Sequence, residues 1–334
     1  MTTMTDATLH VLDALRSADD ACSGETLSGS LGVSRAQIWK HIERLRKRGY
    51  EIDGEPGGGY RLRSAPDRLY PEQIRGRLTN AWLAREIEHL EETDSTNRVA
   101  SERAQAGARH GFTVIAETQT AGRGRLGRSF YSPPHRNLYS STVLRPAIDI
   151  AAAPTLIPAA AIAVADAIAG ELGSDDDVEI KWPNDILIGG LKTSGILMEM
   201  QSEATRVGHI VLGIGINLNV DPNEFPDDFR QRATSLQAQA GRSIDRIEFA
   251  ARLYRELESV LDEHTRSGFT TLRERYESHF RMPGKQIRVQ EMDGTETTGT
   301  AVGIDGNGAL LIDCEDGHRA RVIAGDVTLA REIQ

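Results

Sequence analysis

The 334-residue chain is 39% apolar and 26% charged, the balance of a soluble globular protein, and it is long enough for two or three domains rather than one core. No window approaches the ~18 uninterrupted apolar residues of a membrane span, and the acid-bearing first twenty residues lack a basic-then-apolar signal pattern, so no membrane partner is expected and the cytoplasm is the default. The net charge of −10 argues against indiscriminate binding of nucleic acid over the whole surface.

Residues 6–63 read as a winged helix-turn-helix. Leu9, Val11, Leu12 and Leu15 give a first helical stripe, and Leu27 and Leu31 mark a short second helix that turns at Gly32. Ser34 is a good N-cap for a third helix, with apolar positions Ile38, Ile42 and Leu45, which ends at Gly49. Tyr50–Asp53 and Tyr60–Leu62 flank the turn-forming run 54–59 and predict a β-hairpin wing. Residues 1–33 carry five acids and one Arg, whereas residues 34–63 carry eight Lys or Arg against four acids. In a helix-turn-helix the last helix enters the major groove by its N-terminal residues. Ser34, Arg35, Gln37 and Lys40 are therefore the candidates for DNA contact. The alternative is a three-helix domain with a solvated basic face; the added glycine-rich wing favours DNA.

Residues 64–71 are polar, contain two prolines and read as a linker. Helical and strand patterns then alternate. A helix follows Asp94-Ser95-Thr96 and contains Val99, Ala100 and Ala104; strands are predicted at 111–117 and 137–144, and an alanine-rich helix at 154–172. Strands follow around 178–182, 185–188, 195–200 and 207–218, and helices at 248–264 and 272–279. Hairpin-length connections among these elements point to an α+β fold with a mixed sheet. From Pro283 onward, short alternating runs are punctuated by Asp293-Gly294, Asp305-Gly306-Asn307-Gly308 and Asp316-Gly317, strong hairpin signals that predict a small SH3-like β-barrel. The expected domains are 1–65, 70–280 and 281–334.

Cys22 and Cys314 lie at opposite ends of the chain. Neither reads as having a Cys or His at ligand spacing, so neither a zinc site nor a disulfide framework is expected. Only five of the 39 basic residues are lysine, against 49 acids. Such a surface suits a high-salt cytoplasm; stability and activity without added molar salt would contradict that expectation.

Three segments carry chemistry. In 117–128, Gly122, Gly124 and Gly127 satisfy G-x-G-x-x-G after a strand, but Ser129-Phe130-Tyr131-Ser132-Pro133-Pro134 cannot open the helix that a dinucleotide fold needs. What remains is a glycine-rich loop with Arg123, Arg125 and Arg128, suited to clamping phosphate and carboxylate while shielding a reactive intermediate from water. A mobile surface loop is the alternative. The second segment places Asn184 and Asp185 at a turn between strands, with Lys192 opening the next strand ahead of the small Ser194-Gly195 pair, which leaves room for a ligand. The third, Gly213-Ile214-Gly215-Ile216-Asn217, puts glycines inside a strand, a mark of close approach.

With Asp94-Ser95-Thr96-Asn97, these segments closely resemble the biotin–protein ligases, in the bifunctional form whose N-terminal winged helix also represses the biotin operon. A Ser-Thr-Asn element, Gln-x-x-Gly-Arg-Gly-Arg, Lys-Trp-Pro-Asn-Asp, Lys-x-x-Gly-Ile-Leu and Gly-x-Gly-x-Asn occur in that order over nearly the whole chain. The resemblance implies ATP-dependent formation of biotinyl-5'-AMP, then transfer to a lysine of a biotin carboxyl carrier domain of an acetyl-CoA or propionyl-CoA carboxylase, with Mg²⁺ beside the departing pyrophosphate. It also implies operator DNA as a partner and homodimerisation promoted by the adenylate.

By similarity, Ser95, Thr96, Asn97 and Gln119 line the biotin ureido end, with Gly195 also against biotin. Arg123, Gly124 and Arg125 belong to a loop over biotin and its adenylate, and Lys192 contacts the carboxylate and then the α-phosphate. Arg123, Lys192 and Asp185 are the catalytic candidates. Asp185 orients or deprotonates the acceptor amine, or else caps a turn. Arg123, Arg125, Phe130, Asn184, Lys192 and Asn217 are expected against ATP. Phe130 stands where relatives often carry tryptophan, and Arg319 or Arg321 is expected to reach ATP from the terminal barrel. Two other readings remain: a biotin-sensing regulator with little ligase activity, disfavoured by the intact Arg123, Arg125 and Lys192, and a lipoate or octanoate ligase, whose histidine-bearing loop is not recognised here.

Overall fold

A computed structural model describes residues 4, 6–18, 20–55, 58–203, 206–291 and 293–329. The chain divides into two units, Met1–Arg68 and Leu69–Gln334.

In the first unit, α1 (Asp6–Ser17), α2 (Gly24–Leu31) and α3 (Arg35–Lys47) bury Val11, Leu12, Leu15, Leu27, Ile38, Ile42 and Leu45 against one another. The sequence stops each helix chemically. Gly32, at φ 63, caps α2, and Ser34 and Gln37 form a reciprocal capping box at the start of α3. Strands β1 (Glu51–Glu55) and β2 (Gly59–Ser64) pair antiparallel as the expected wing. Cys22 and Tyr60 exchange backbone hydrogen bonds of 2.8 and 2.7 Å, which tie the wing to the α1–α2 connection. Pro56 and Gly57 of the wing tip lie outside the described residues.

The segment read as a linker is shorter than expected. Ser64 ends β2, Leu69 and Tyr70 are buried, and Pro71 opens α4 (Pro71–Arg75). Apolar anchoring outweighs the polar composition of its neighbours.

The second unit continues through β3 (Ile87–Leu90), α5 (Thr96–Gln105), β4 (Thr113–Ala116), β5 (Leu138–Leu144) and α6 (Leu156–Leu172). Strands β6 (Val178–Lys181), β7 (Asp185–Ile188), β8 (Leu191–Glu203) and β9 (Arg206–Ile216) follow, then α7 (Asp227–Arg230), α8 (Leu236–Ala240), α9 (Arg246–Ser267) and α10 (Arg273–His279). The seven-stranded sheet has the order β3-β4-β5-β9-β8-β7-β6. β3 runs parallel to β4, and the other pairs are antiparallel. Period-two alternation gives this sheet two apolar faces. Val114, Val143 and Val211 pack with Val99, Ala100 and Ala104 of α5, while Ile115, Leu138, Leu144, Leu212 and Ile214 join α6 and α9 in the main core. The span Ile150–Leu172 is long and apolar enough to cross a membrane by length and hydropathy, but most of it is buried in that core.

Five final strands, β10 (Gln286–Gln290), β11 (Glu296–Ile304), β12 (Leu310–Cys314), β13 (Arg319–Val322) and β14 (Asp326–Leu329), form an antiparallel sheet in the order β13-β12-β11-β10-β14. The predicted Asp-Gly and Asn-Gly turns join its hairpins, with Gly294, Gly308 and Gly317 at φ 89, 75 and 87. Its Ile287, Val289, Ile304, Leu310 and Ile312 belong to the main core of the second unit, and Trp182 Nε1 donates to the Gly308 carbonyl at 3.0 Å.

One expectation is corrected here. Cys314 does have a histidine at ligand spacing: across the Asp316-Gly317 turn, Cys314, Asp316 and His318 bring their ligand atoms within 4.8 Å of one another. The hairpin places residues four apart on opposing strand ends, a relation that a search for short metal motifs passes over.

Candidate functional site

A cavity of about 1070 Å³ opens between the β4–β5 loop, the centre of the seven-stranded sheet and β14. Its floor follows from close backbone approach. A Cβ added to Gly213 would lie 2.0 Å from Asn97 Oδ1, and one added to Gly215 would lie 2.7 Å from the Phe130 ring. Glycine at these two strand positions therefore lets Asn97 and Phe130 sit on the sheet, as the in-strand glycines led us to expect.

One wall is the start of α5. Ser95 is its N-cap and is held by Asp94, which accepts from the Ser95 N–H at 2.7 Å. Asp94 also accepts from Arg98 at 2.6 Å, and that bond is the chief reason its carboxyl is held well below the usual range. Gln119 Oε1 accepts from both the N–H and the hydroxyl of Thr96, at 2.9 and 3.1 Å, while Gln119 Nε2 donates to Ser132 Oγ at 3.1 Å. Asn97 donates to Glu199 at 2.8 Å and accepts from Ser141 at 2.6 Å. Thr96, Asn97 and Gln119 thus meet in one hydrogen-bonded group through the Ser141 hydroxyl, with Ser95 beside them in the cavity lining. Ser132, Ser141 and Glu199, which orient it, carry no motif signal in the sequence.

The arginine loop forms the roof. It closes on itself through Gly124 N–H to the Arg128 carbonyl, 2.7 Å, and Phe130 N–H to the Gly122 carbonyl, 2.9 Å. Residues 125–127 make a single 3-10 turn, with Leu126 at φ 55 and Gly127 at φ 74. No helix follows, in keeping with rejection of the dinucleotide reading. Arg125 reaches across to Asn184 Oδ1 at 3.4 Å, and burial lowers the pKa of its guanidinium. Arg128 is paired with Asp326 of β14.

Opposite, Lys192 Nζ and Asp185 Oδ1 form an ion pair at 2.6 Å. Asn184 Nδ2 donates to the Ile196 carbonyl at 2.7 Å, which fixes the β6–β7 turn against β8. A Cβ at Gly195 would stand 3.3 Å from Lys192 Nζ, so the absence of a side chain there leaves space beside the amine. Six cations line the cavity, Arg123, Arg125, Arg128, Lys181, Lys192 and Arg232, against three acids, Asp185, Asp228 and Asp326. In a chain of net charge −10 that local excess makes a site for anions. Lys181 heads the Lys-Trp-Pro-Asn-Asp motif without a site role assigned to it, whereas Arg232 and the β14 residues carry no signal in the sequence.

Two expectations are corrected. Asn217 is absent from the cavity lining: it is buried, donating to the Thr234 carbonyl at 3.1 Å and accepting from Asn137 at 3.3 Å, so its amide is spent inside the fold. Neither Arg319 nor Arg321 lines the cavity; they pair with Asp313 and Asp305 respectively. The terminal sheet contributes Asp326, Val327 and Thr328 instead. In the first unit, Ser34, Arg35, Gln37 and Lys40 are all exposed on the first turns of α3, with Ser34 and Gln37 engaged in the capping box and Arg35 paired with Glu25.

The comparisons with known proteins agree with this architecture. Residues 90–217 match the Biotin/lipoate A/B protein ligase family, residues 8–61 an HTH domain, and residues 284–329 the Biotin protein ligase C terminal domain. The chain is 38% identical over 314 residues to the bifunctional ligase/repressor BirA of Bacillus subtilis (strain 168), covering 94% of this chain and 95% of that one. It is 36% identical over 318 residues to the protein of the same name from Escherichia coli (strain K12), covering 95% and 96%. The structure of the biotin protein ligase from Aquifex aeolicus in complex with biotin and ATP superposes with a TM-score of 0.62 at 28% identity, covering 73% of this chain and 98% of that one. With a helix-turn-helix, a ligase sheet and a ligase C-terminal domain in that order, the chain belongs to the bifunctional ligase/repressor family of biotin protein ligases.

Proposed function

We propose that the chain is an ATP-dependent biotin–[biotin carboxyl carrier protein] ligase that acts through biotinyl-5'-AMP, and that its first unit binds operator DNA as a biotin-responsive repressor. The observation that carries the ligase reading is the cation-rich cavity in which the Lys192–Asp185 pair stands below the Arg125–Asn184 contact. In the first step a biotin carboxylate oxygen attacks the α-phosphorus of ATP and pyrophosphate leaves. Negative charge builds at phosphorus, and Lys192 and Arg123, both in the cavity lining, are the cations we assign to stabilise it. Ser95, Thr96, Asn97 and Gln119 form a donor-and-acceptor group matched to a ureido ring, and Gly195 leaves room beside the Lys192 amine. Phe130, whose ring lies on Gly215, is our candidate for contact with the nucleotide.

In the second step the acceptor lysine nitrogen attacks the acyl carbon, AMP leaves, and the amine loses a proton. An unperturbed lysine titrates near 10.4, so a base must take that proton. Asp185 is our candidate, freed for the task when Lys192 turns to phosphate. Asn184 Oδ1 is a hard oxygen donor at the cavity wall and is our candidate to serve ATP or a Mg²⁺ ion bound with it. When bound with ATP, that ion would neutralise the departing pyrophosphate.

We assign residues 1–65 to the DNA-binding domain, 70–280 to the catalytic domain and 281–334 to the SH3-like C-terminal domain. The acceptor is a carboxylase carrier domain met in the cytoplasm, and binding of the adenylate promotes a homodimer that reads two half-sites. The ligase reading is tested by biotin-dependent exchange of pyrophosphate into ATP, with lipoate as the comparison and Lys192→Ala as the control. Exchange with biotin alone, lost in the variant, supports it. Absence of exchange at every salt concentration would leave only a biotin-sensing regulator.

A further inference from the structure

The third helix of the first unit carries a side chain that its fold does not use. Trp39 is 53% exposed, one of few large apolar side chains so placed among the described residues. A scattered exposed leucine needs no explanation, but an exposed tryptophan on a basic helix does. The buried stripe of α3 is Ile38, His41, Ile42 and Leu45. Ala36, Trp39 and Lys40 stand at i, i+3 and i+4, so they form one patch on the outer surface near the helix N-terminus. Arg35, Arg44 and Lys47 lie around that patch, and Glu43, at i+4 from Trp39, is the one acid of the helix beside it and pairs with Arg46.

The capping box bears directly on which of these side chains can read a base. Ser34 Oγ accepts from the Gln37 N–H, and Gln37 Oε1 accepts from the Ser34 N–H at 2.8 Å. Two of the four expected base-contacting side chains are thereby committed to holding the helix start. Arg35 pairs with Glu25 at the surface, a weak bond that it can exchange for a phosphate. The large side chain in the groove-facing patch is then Trp39. The apolar feature that the major groove offers to such a group is the C5-methyl of thymine.

We propose that Trp39 is a specificity-determining residue of the first unit, packing its indole on thymine methyl groups in each half-site while the neighbouring cations hold phosphate. The occupant is duplex DNA rather than another protein, because Arg35, Lys40, Arg44 and Lys47 outnumber Glu43 around the patch, an excess of positive charge that complements a polyanion. This assignment rests on the DNA-binding reading above.

The test uses the full chain with biotin and ATP to select binding sites from random-sequence duplexes, and then replaces each thymine of the selected site by deoxyuridine, which removes only the methyl group. The wild-type protein should lose about fourfold in affinity at one or more positions in each half-site, the scale expected for one buried methyl group. Trp39→Ala should show no such loss at those positions, Trp39→Phe should retain part of it, and the salt dependence should be unchanged in both because phosphate contacts are untouched. An undiminished deoxyuridine penalty in Trp39→Ala would overturn the proposal. So would a uniform weakening on all sequences, or unaltered DNA selection accompanied by loss of self-association, which would make the tryptophan a protein contact. If the wild-type chain selects no sequence at all, the DNA-binding reading itself falls, and this inference with it.

Discussion

Arg246, near the start of α9, donates to Glu117 Oε2 at 3.0 Å, and both side chains are fully buried. Glu117 follows β4 and stands two residues before Gln119 of the site. Its Oε1 also accepts from the Leu69 N–H at 2.7 Å and from His89 at 3.1 Å, and His135 Nδ1 lies 3.3 Å from Oε2. One carboxylate thus fastens the first residue of the second unit, the edge strand β3, α9 and the base of the arginine loop. Removing one partner of a buried pair leaves the other charge unpaired, at a cost of about 3–5 kcal/mol. Glu117→Ala should lower stability by that amount in urea titrations. A loss below 1 kcal/mol, roughly the ceiling for a surface pair, would show that Arg246 finds another partner.

The same carboxylate gives a pH dependence of known sign. Burial pushes its pKa up, but the His89 hydrogen bond, the Arg246 charge and the Leu69 N–H outweigh burial and hold it at about 2, against 4.5 for a free glutamate. A carboxyl depressed by folding stabilises the protein above its unfolded pKa, and that stabilisation is lost as pH falls from about 4.5 toward 2. The shift corresponds to roughly 3 kcal/mol. The difference in urea stability between the wild-type chain and Glu117→Gln should therefore shrink as pH falls across that window. A constant difference down to pH 2.5 would contradict the assignment.

At Gly213 the expected effect is on ligand affinity. A methyl group there would stand 2.0 Å from Asn97 Oδ1, so Asn97 must move, together with its bonds to Ser141 and Glu199. Gly213→Ala should raise the KM for biotin roughly ten- to a hundredfold, the scale of an ångström displacement in a positioned group. The KM for ATP should change little. Equal rises in both constants would mean that the sheet, rather than Asn97, had given way.

Signals that act within a few residues are legible in the sequence, and those that depend on distant partners are not. The Ser34 cap, the Gly32 stop and the Asp-Gly turns act within a few residues, and each recurs in the fold. The arginine loop and the Lys192 segment were found as strings of unusual composition, and the fold brings them to one cavity. Asn217 looked equivalent, but its partners, Asn137 and Thr234, are recruited by packing, and nothing near it in the chain foretold them. Ser141 and Glu199 failed to register for the converse reason: each is an ordinary strand residue until the sheet sets it against Asn97. β14 is the extreme case, since Asp326 meets Arg128 from 198 residues away.

In its proposed role Asp185 would separate the two half-reactions. It pairs with Lys192 at 2.6 Å, and our proposal gives it the proton of the acceptor amine. Asp185→Asn keeps the size of the side chain and one acceptor oxygen for Lys192 while losing the base. Pyrophosphate exchange should persist within several-fold, and biotinylation of a carrier domain should fall roughly a hundredfold, the usual contribution of a positioned base. The transfer rate should recover as pH rises and the acceptor lysine deprotonates unaided. If exchange and transfer fall together, Asp185 serves Lys192 and the nucleotide instead of the acceptor.

We assign Arg125 the control of what escapes. The loop's own fold is kept by backbone bonds from Gly124 to Arg128 and from Phe130 to Gly122, none of which uses the Arg125 side chain. That side chain instead spans the cavity to Asn184 Oδ1 at 3.4 Å. Arg125→Gly should therefore leave the loop formed and the adenylation chemistry active, but open the roof over the mixed anhydride. Biotinyl-5'-AMP released to solvent acylates any accessible lysine, since attack on an activated carbonyl needs only a neutral amine. The variant should biotinylate a bystander protein such as serum albumin in the presence of biotin and ATP, whereas the wild-type chain should not. Mass spectrometry of the albumin lysines distinguishes the outcomes: scattered modification supports the roof, and unmodified albumin alongside intact pyrophosphate exchange would mean that the adenylate is retained by groups other than Arg125.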